Sequence, residues 1–399
     1  MGISSSNFIV IISRGGAAFI QFLVLLIYGA YLEPSEFGEL SLLMIAIGLC
    51  YSMVDFGVAN TIITSRINRE NLKKLQSLNL VVSIILGVFL FFISEIFNSL
   101  KFSNFFADSI KYFGLLLLLY SLTIVTYSRL HKAQRLKVLA AIDFFPVFTF
   151  LITVPFFLKL DLGIYTFIVS MFIQILTRFI LLKLMINAKI FFIPPVVDKA
   201  ILRTLLKQYI SNLVVYLTGR VDQLLVAALL STSVLGFYSF AKQIISYPVS
   251  LMISVFTQIS FPFFSRFRSN KNKIKSLYIK SILILLSLIS LYYLILYVLP
   301  EEEIRKTIPL WDFRSITASL IFLFAFARII LDTLISLSIG VGLIGKILNI
   351  NLLILIFYLI ISAAIPFYGI NTYLIGLCIL SFSFSMFLYR YTFKTISSE

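Results

Sequence analysis

Residues 208–266 place charge where charge is expensive. Two apolar segments, about 206–230 and 235–262, are joined by the short turn 231–236, and the first carries Arg220 and Asp222 near its middle while the second carries Lys242. A charge at the centre of a membrane helix costs roughly 2.5–3.5 kcal/mol on insertion scales, so such residues point to function. A polar stripe accompanies them: Ser239, Gln243, Ser246, Ser250, Ser254 and Thr257 recur every three or four residues and share one helix face. Asn212, Tyr216, Arg220 and Gln223 make a thinner stripe on the first segment. Taken singly, each residue reads as glue that hydrogen-bonds one membrane helix to another. Taken together with the cations, the stripes favour a wet cavity for something anionic or sugar-like.

The elements that position these residues are membrane helices. Hydrophobic residues make up 60% of the chain and the mean hydropathy is +1.04, well outside the range of soluble globular proteins. Apolar segments long enough to cross a hydrocarbon core of ~30 Å recur throughout. Twelve are expected, at about 8–32, 37–64, 77–97, 110–128, 140–158, 162–186, 206–230, 235–262, 277–299, 315–338, 346–365 and 369–391. The short alternating segments of a membrane barrel do not occur. The first run is too long for a signal core and has no small-residue cleavage site, so no cleavable leader is expected. Cys50 and Cys378 fall inside apolar segments, which suggests neither a disulfide nor a metal site.

A net charge of +16 could suggest nucleic acid, but its distribution does not. With the N-terminus in the cytoplasm, the basic clusters fall on inside loops: Arg66, Arg69, Lys73 and Lys74; Arg129, Lys132, Arg135 and Lys137; and a third between Arg266 and Lys280. The outside loops keep only Lys101, Lys111, Lys159, Arg305, Lys306 and Arg314. The positive-inside rule then puts both termini in the cytoplasm, and the basic loops need no nucleic acid to explain them.

The halves match in layout. Arg14, Gln21 and Tyr28 line one face of the first span, and Ser41, Gly48, Ser52, Asp55 and Ala59 one face of the second. Glu36-Phe37-Gly38 follows the first span as Leu235-Gly236-Phe237 follows the seventh, and Ser65-Arg66 ends the second as Ser265-Arg266 ends the eighth. The expected fold is therefore all-α and polytopic, with twelve transmembrane helices in two six-helix lobes related by a parallel repeat. The lobes are residues 1–193 and 194–399, split near Pro194-Pro195, with the substrate site between them near mid-membrane.

Other buried charges are less central. Asp143 and Arg178 lie near the cytoplasmic ends of spans five and six, where they can snorkel. Arg328 and Asp332 are four apart and can pair with each other. Asp222, two residues from Arg220, needs a partner on another helix. The buried cations outnumber the buried anions by little, so no strongly cationic tunnel is expected. Gly340-Val341-Gly342-Leu343-Ile344-Gly345-Lys346 spells a dinucleotide fingerprint, but it follows a membrane span rather than a strand. There is no Walker A sequence, and the single histidine, His131, lies in a basic loop, which removes histidine triads and metal clusters. No cofactor and no metal are expected.

The chain resembles the polysaccharide flippases of the multidrug/oligosaccharidyl-lipid/polysaccharide exporter superfamily, most of all the O-antigen (Wzx-type) flippases. The resemblance runs over nearly the whole length and is strongest at Pro34-Ser35-Glu36-Phe37-Gly38, Asp55-Phe56-Gly57, Asp222, Leu235-Gly236-Phe237-Tyr238 and Phe261-Pro262 followed by Ser265. It implies a bacterial inner-membrane protein of lipopolysaccharide biosynthesis that is a transporter and not an enzyme. It also implies alternating access to an undecaprenyl-pyrophosphate-linked oligosaccharide. The substrate-holding cations would be Arg14, Arg220 and Lys242, with Gln21, Gln243 and Ser246 beside them on the polar faces. Many relatives carry a neutral polar residue where this chain has Arg220. Asp55 and Asp222 are candidates for coupling transport to a proton or sodium gradient. Membrane lipids, and the polymerase and chain-length proteins of the same pathway, would be partners. Two rival readings are a drug or small-molecule exporter of the same superfamily, and a membrane O-antigen polymerase. The polymerase would need a larger loop outside the membrane than the short 300–314 stretch.

Overall fold

The computed structural model describes residues 5–64, 67–99, 104–186, 191, 193–195, 197–266, 271–340, 344–362 and 365–398. Of the residues singled out above, Ser65, Arg66, Lys101, Val341, Gly342 and Leu343 lie outside this set, as do the side chains of Arg14, Ser254, Thr257, Phe261, Pro262, Ser265, Arg266, Ile344 and Lys346. Among the described residues there is no strand. These residues hold twelve long helices in succession: α1 (Ser5–Tyr31), α2 (Pro34–Asp55), α4 (Arg69–Ser99), α5 (Asn104–Lys132), α6 (Leu136–Leu158), α7 (Thr166–Ile186), α8 (Lys199–Leu229), α9 (Thr232–Arg266), α10 (Lys271–Val298), α12 (Ile316–Gly340), α13 (Ile344–Ser362) and α14 (Ile365–Ser398). Two short helices, α3 (Val58–Thr64) and α11 (Glu301–Thr307), fall between them.

Among the described residues, nine of these helices are long and apolar enough to cross a membrane, and α1 and α13 add shorter apolar stretches, Gly15–Tyr31 and Asn349–Ser362. The shortest of the nine, α2 with 22 residues, reaches roughly 33 Å at 1.5 Å per residue. The outer faces are apolar in the manner of a lipid-facing surface: on α10, Ile284, Leu291 and Val298, seven apart, are 59%, 55% and 68% exposed. The protein is a multi-pass membrane protein.

One expected span is two helices. The run 37–64 breaks at Phe56 (φ 47°) and Gly57 (φ 74°), where α2 ends and α3 begins. The Asp55 carboxylate accepts the Ala59 N–H at 3.0 Å and so satisfies one of the donors freed at the start of α3. A side chain at Gly57 would meet the Leu205 carbonyl oxygen at 2.6 Å and the Tyr209 nitrogen at 2.9 Å, so α8 approaches this break at backbone distance. The run stays apolar on average across the break despite Asp55 and Asn60, which is why hydropathy alone merges the two helices.

By mutual contact the helices form two compact units. Unit one holds residues 1–27 and 39–216; unit two holds 28–38 and 217–399. Thus the first half of α8 belongs to unit one, and the α1–α2 turn belongs to unit two.

Within unit one, α5 packs on α4, α7 and α3, and α6 packs on α7. A buried Ser83 Oγ–Ser121 Oγ hydrogen bond of 3.2 Å joins α4 to α5, and Leu130, Leu139, Ile142 and Leu182 form an apolar core between α5, α6 and α7. Within unit two, α12 packs on α9 and α14, and α13 on α14. Buried hydroxyl pairs join these helices: Ser338–Thr392 at 2.7 Å and Tyr358–Ser381 at 2.8 Å. At the start of α2 and α9, Gly38 and Gly236 cross reciprocally. A Cβ on Gly38 would overlap the carbonyl of Thr232, and one on Gly236 that of Pro34. Equivalent turns of the internal repeat therefore touch in an equivalent way.

Candidate functional site

In unit two, the second half of α8 with α9 and α12 encloses a cavity of about 180 Å³. Asp222 comes from α8, Lys242, Ser246 and Ser250 from α9, and Arg328 and Asp332 from α12. The Lys242 Nζ donates to both Asp222 oxygens, at 2.6 and 2.7 Å, and to the Gly219 carbonyl at 3.1 Å. Tyr238 adds its hydroxyl to the same carboxylate. Asp222, only 2% exposed, therefore takes its partners from α9, the helix across the turn. Arg328 and Asp332, one helical turn apart, pair at 3.0 Å as their spacing predicts. Four charges thus face a small cavity as two neutral pairs, which is how charge is tolerated inside a helix bundle.

Unit one holds a larger cavity of about 480 Å³. Tyr51, Ser52 and Asp55 from the end of α2 line it, with Tyr120, Thr123, Tyr127 and Ser128 from α5, Arg178 from α7, and Asn212 and Tyr216 from α8. Tyr51 and Tyr120 stack with ring centroids 4.2 Å apart. The Arg178 guanidinium lies 4.2 Å over the Tyr127 ring, a cation–π contact. Tyr127 in turn donates its hydroxyl to Asp143 Oδ1 at 2.6 Å. A second cavity of about 310 Å³ shares Tyr51, Tyr120 and Arg178 and adds Gln21, Asp143 and Gln174.

The sequence-predicted site residues fall in different places. Asp222, Lys242 and Ser246 line the unit-two cavity. Asp55 lines the larger cavity of unit one and Gln21 the smaller. Gln243 is buried and lines neither. Arg220 Nη1 donates to Gln223 Oε1 at 3.0 Å, and Gln223 Nε2 to Ser239 Oγ at 2.9 Å. That chain ties α8 to α9 and is the helix–helix glue that single polar residues suggest. The thinner stripe divides: Asn212 and Tyr216 face the unit-one cavity, whereas Arg220 and Gln223 belong to unit two. Arg178 and Asp143 do not snorkel outward; they face the cavities of unit one, because the guanidinium packs on Tyr127. The sequence did carry a signal for that wall, since Tyr120, Thr123, Tyr127 and Ser128 lie at helical spacing on α5.

A family model described as polysaccharide biosynthesis protein matches residues 31–308. The chain belongs to this family. Its fold is that of the MATE transporters of the MOP superfamily. An inward-facing conformation of a multidrug resistance MATE family transporter superposes with a TM-score of 0.69 at 14% identity, covering 100% of this chain and 96% of that one. MATE in complex with MaL6 gives 0.69 at 12% identity, over 98% and 96%. A MOP superfamily transporter from Pyrococcus furiosus, described as having a binding pocket of reverse polarity, gives 0.64 at 15% identity, over 98% and 96%. No curated protein sequence matches the chain.

Proposed function

We propose that the chain flips undecaprenyl-pyrophosphate-linked O-antigen repeat units from the cytoplasmic to the periplasmic leaflet of the bacterial inner membrane. It acts by alternating access, with both termini in the cytoplasm and six-helix lobes at 1–193 and 194–399. Polysaccharide-family membership supports the substrate class. The observation that carries the reading is the cluster of four charges and two serines facing a cavity inside an otherwise apolar bundle. A polar headgroup crossing hydrocarbon needs such a lining in place of its water, while the polyprenyl tail stays in lipid. Membrane lipids and the polymerase and chain-length proteins of the pathway are its partners.

The Asp222–Lys242 pair links two roles. A carboxylate that takes up a proton or sodium ion loosens its hold on the ammonium, and the freed Nζ then meets pyrophosphate oxygens through charge-assisted hydrogen bonds. Collapsing the proton and sodium gradients across vesicles should lower the initial flipping rate, and an unchanged rate removes the coupling. Arg220→Ala should lose transport while the protein still reaches the membrane, with Arg220→Lys keeping part of it. Normal transport in Arg220→Ala would leave the residue a purely structural strut to Gln223.

The fold shared with drug exporters supports a second reading, export of small molecules. Exporters of hydrophobic cations favour an excess of acidic groups. In the unit-two cavity each carboxylate already has a cationic partner, at 2.6 and 3.0 Å. Deleting the gene in its host and examining lipopolysaccharide on a gel separates the readings. Lipid A-core without repeat units, with lipid-linked units retained on the cytoplasmic side, means a flippase. Core bearing one unit means a failed polymerase, and a normal ladder shifts weight to drug export.

A further inference from the structure

The two unit-one cavities share a wall built from Tyr51, Tyr120 and Arg178. Three features of the larger cavity's lining are not explained by packing. The Tyr51 hydroxyl, the Ser52 Oγ and the Arg178 Nε are buried without a hydrogen-bond partner among the described residues. Leaving such groups unpaired is costly, so buried polar groups normally have partners. Arg178 also differs from the cations of the unit-two cavity. Lys242 and Arg328 each hold a carboxylate, whereas Arg178 forms no salt bridge among the described residues and rests on the Tyr127 ring.

The same walls bear two carboxylates, Asp55 and Asp143, and the side-chain amides of Gln21, Gln174 and Asn212. Donors and acceptors are therefore interleaved beside aromatic rings, and no single charge sign dominates. A free phosphate or a simple carboxylate would need donors in excess. A hydrophobic cation would need acceptors and rings without a guanidinium. A sugar ring fits the mixture. Each of its hydroxyls is at once a donor and an acceptor, so neighbouring hydroxyls match a carboxylate beside an arginine, while its C–H face lies on an aromatic ring. The larger cavity alone, about 480 Å³, is within the roughly 300–1,000 Å³ usual for small-molecule sites.

We propose that the unit-one cavities form a pyranose-binding subsite, in which a sugar ring lies against the Tyr51–Tyr120 wall and its hydroxyls pair with Arg178, Asp55 and Asp143. This deepens the flippase reading and rests on it: unit one holds sugar residues of the glycan, and Arg178 sets which ones.

The test is saturation-transfer NMR on the full chain in lipid nanodiscs, with methyl glucoside, N-acetylglucosamine and tetraphenylphosphonium as probes and empty nanodiscs as background. Alkyl maltosides are avoided because their headgroups are sugars. The sugars should receive saturation. Arg178→Gln and Tyr120→Ala should weaken their binding at least tenfold, Arg178→Lys should fall between, and Glu303→Gln on the exposed α11 should change nothing. Should Arg178→Gln not fold, Ser128→Ala in the lining of the larger cavity is read instead, with a severalfold loss expected. No saturation of either sugar overturns the proposal, as does binding indifferent to all the wall variants. It is equally overturned if tetraphenylphosphonium, and not the sugars, is lost with Tyr120→Ala. Protein that flips lipid-linked oligosaccharide but binds neither sugar loses the subsite and keeps the flippase reading. Sugar binding that follows the wall variants in protein that does not flip upholds the subsite and removes that reading.

Discussion

Asp222→Asn destabilises the folded protein by about 3–5 kcal/mol, the usual cost of breaking a buried ion pair from one side. The amide cannot neutralise Lys242, whose side chain is only 12% exposed and loses its two short contacts to the carboxylate. Lys242→Met leaves the opposite problem, a buried carboxylate with the Tyr238 hydroxyl for company. The two changes should not add. Asp222→Asn combined with Lys242→Met removes both charges, and an apolar replacement of a buried pair is often near neutral. Thermal unfolding midpoints in nanodiscs read this directly. The double variant should lie well above either single one. Single variants within about 0.5 kcal/mol of wild type would mean that water reaches the pair and that it contributes little to holding α8 and α9 together.

A side chain at Gly38 or Gly236 should be the most damaging small substitution in the chain. At each position the added Cβ would overlap a backbone carbonyl, that of Thr232 or of Pro34, and backbone cannot rotate away as a side chain can. Gly38→Ala and Gly236→Ala should each cut the yield of monodisperse protein severely, and valine should abolish it. Both substitutions force the same two turns apart, so the double alanine variant should be little worse than either single one. Gly15→Ala is the control, since nothing lies within 4 Å of the added atom. Wild-type yield in both Gly38→Ala and Gly236→Ala would mean that the turns do not cross at backbone distance.

These residues also show what the sequence could and could not reveal. The polytopic helical class follows directly from hydropathy, because the bilayer admits only helices or closed barrels and these long runs lack a barrel's alternation. Gly38 and Gly236 stood out as a repeated motif 198 residues apart, and their reciprocal contact is the spatial form of that repeat. Asp222 clearly needed a partner on another helix. Which residue answers it depends on how α8 and α9 are rotated about their axes, and spacing within one segment does not record that. The break at Phe56-Gly57 was hidden because the run stays apolar on average through Asp55 and Asn60 and a membrane span tolerates glycine. Arg178 was assigned to the membrane edge by its distance from the end of its span. Its actual surroundings are aromatic side chains from α2 and α5, and in an apolar segment a tyrosine that packs looks the same as one that lines a cavity. Arg220, the most conspicuous charge in the sequence, turns out to brace α8 against α9 through Gln223 and Ser239.

The central claim is that this chain moves a lipid-linked oligosaccharide across a bilayer. The most direct measurement places purified protein in vesicles loaded on both leaflets with undecaprenyl-pyrophosphate-linked oligosaccharide and digests the outer leaflet with a glycosidase that cannot enter. Protein-free vesicles expose about half of the substrate. With the protein present the digested fraction should climb well past half within minutes, and in Arg220→Ala it should stay near the protein-free level. A digested fraction that stays at the protein-free level, with protein shown to be folded and inserted, would contradict the flippase reading.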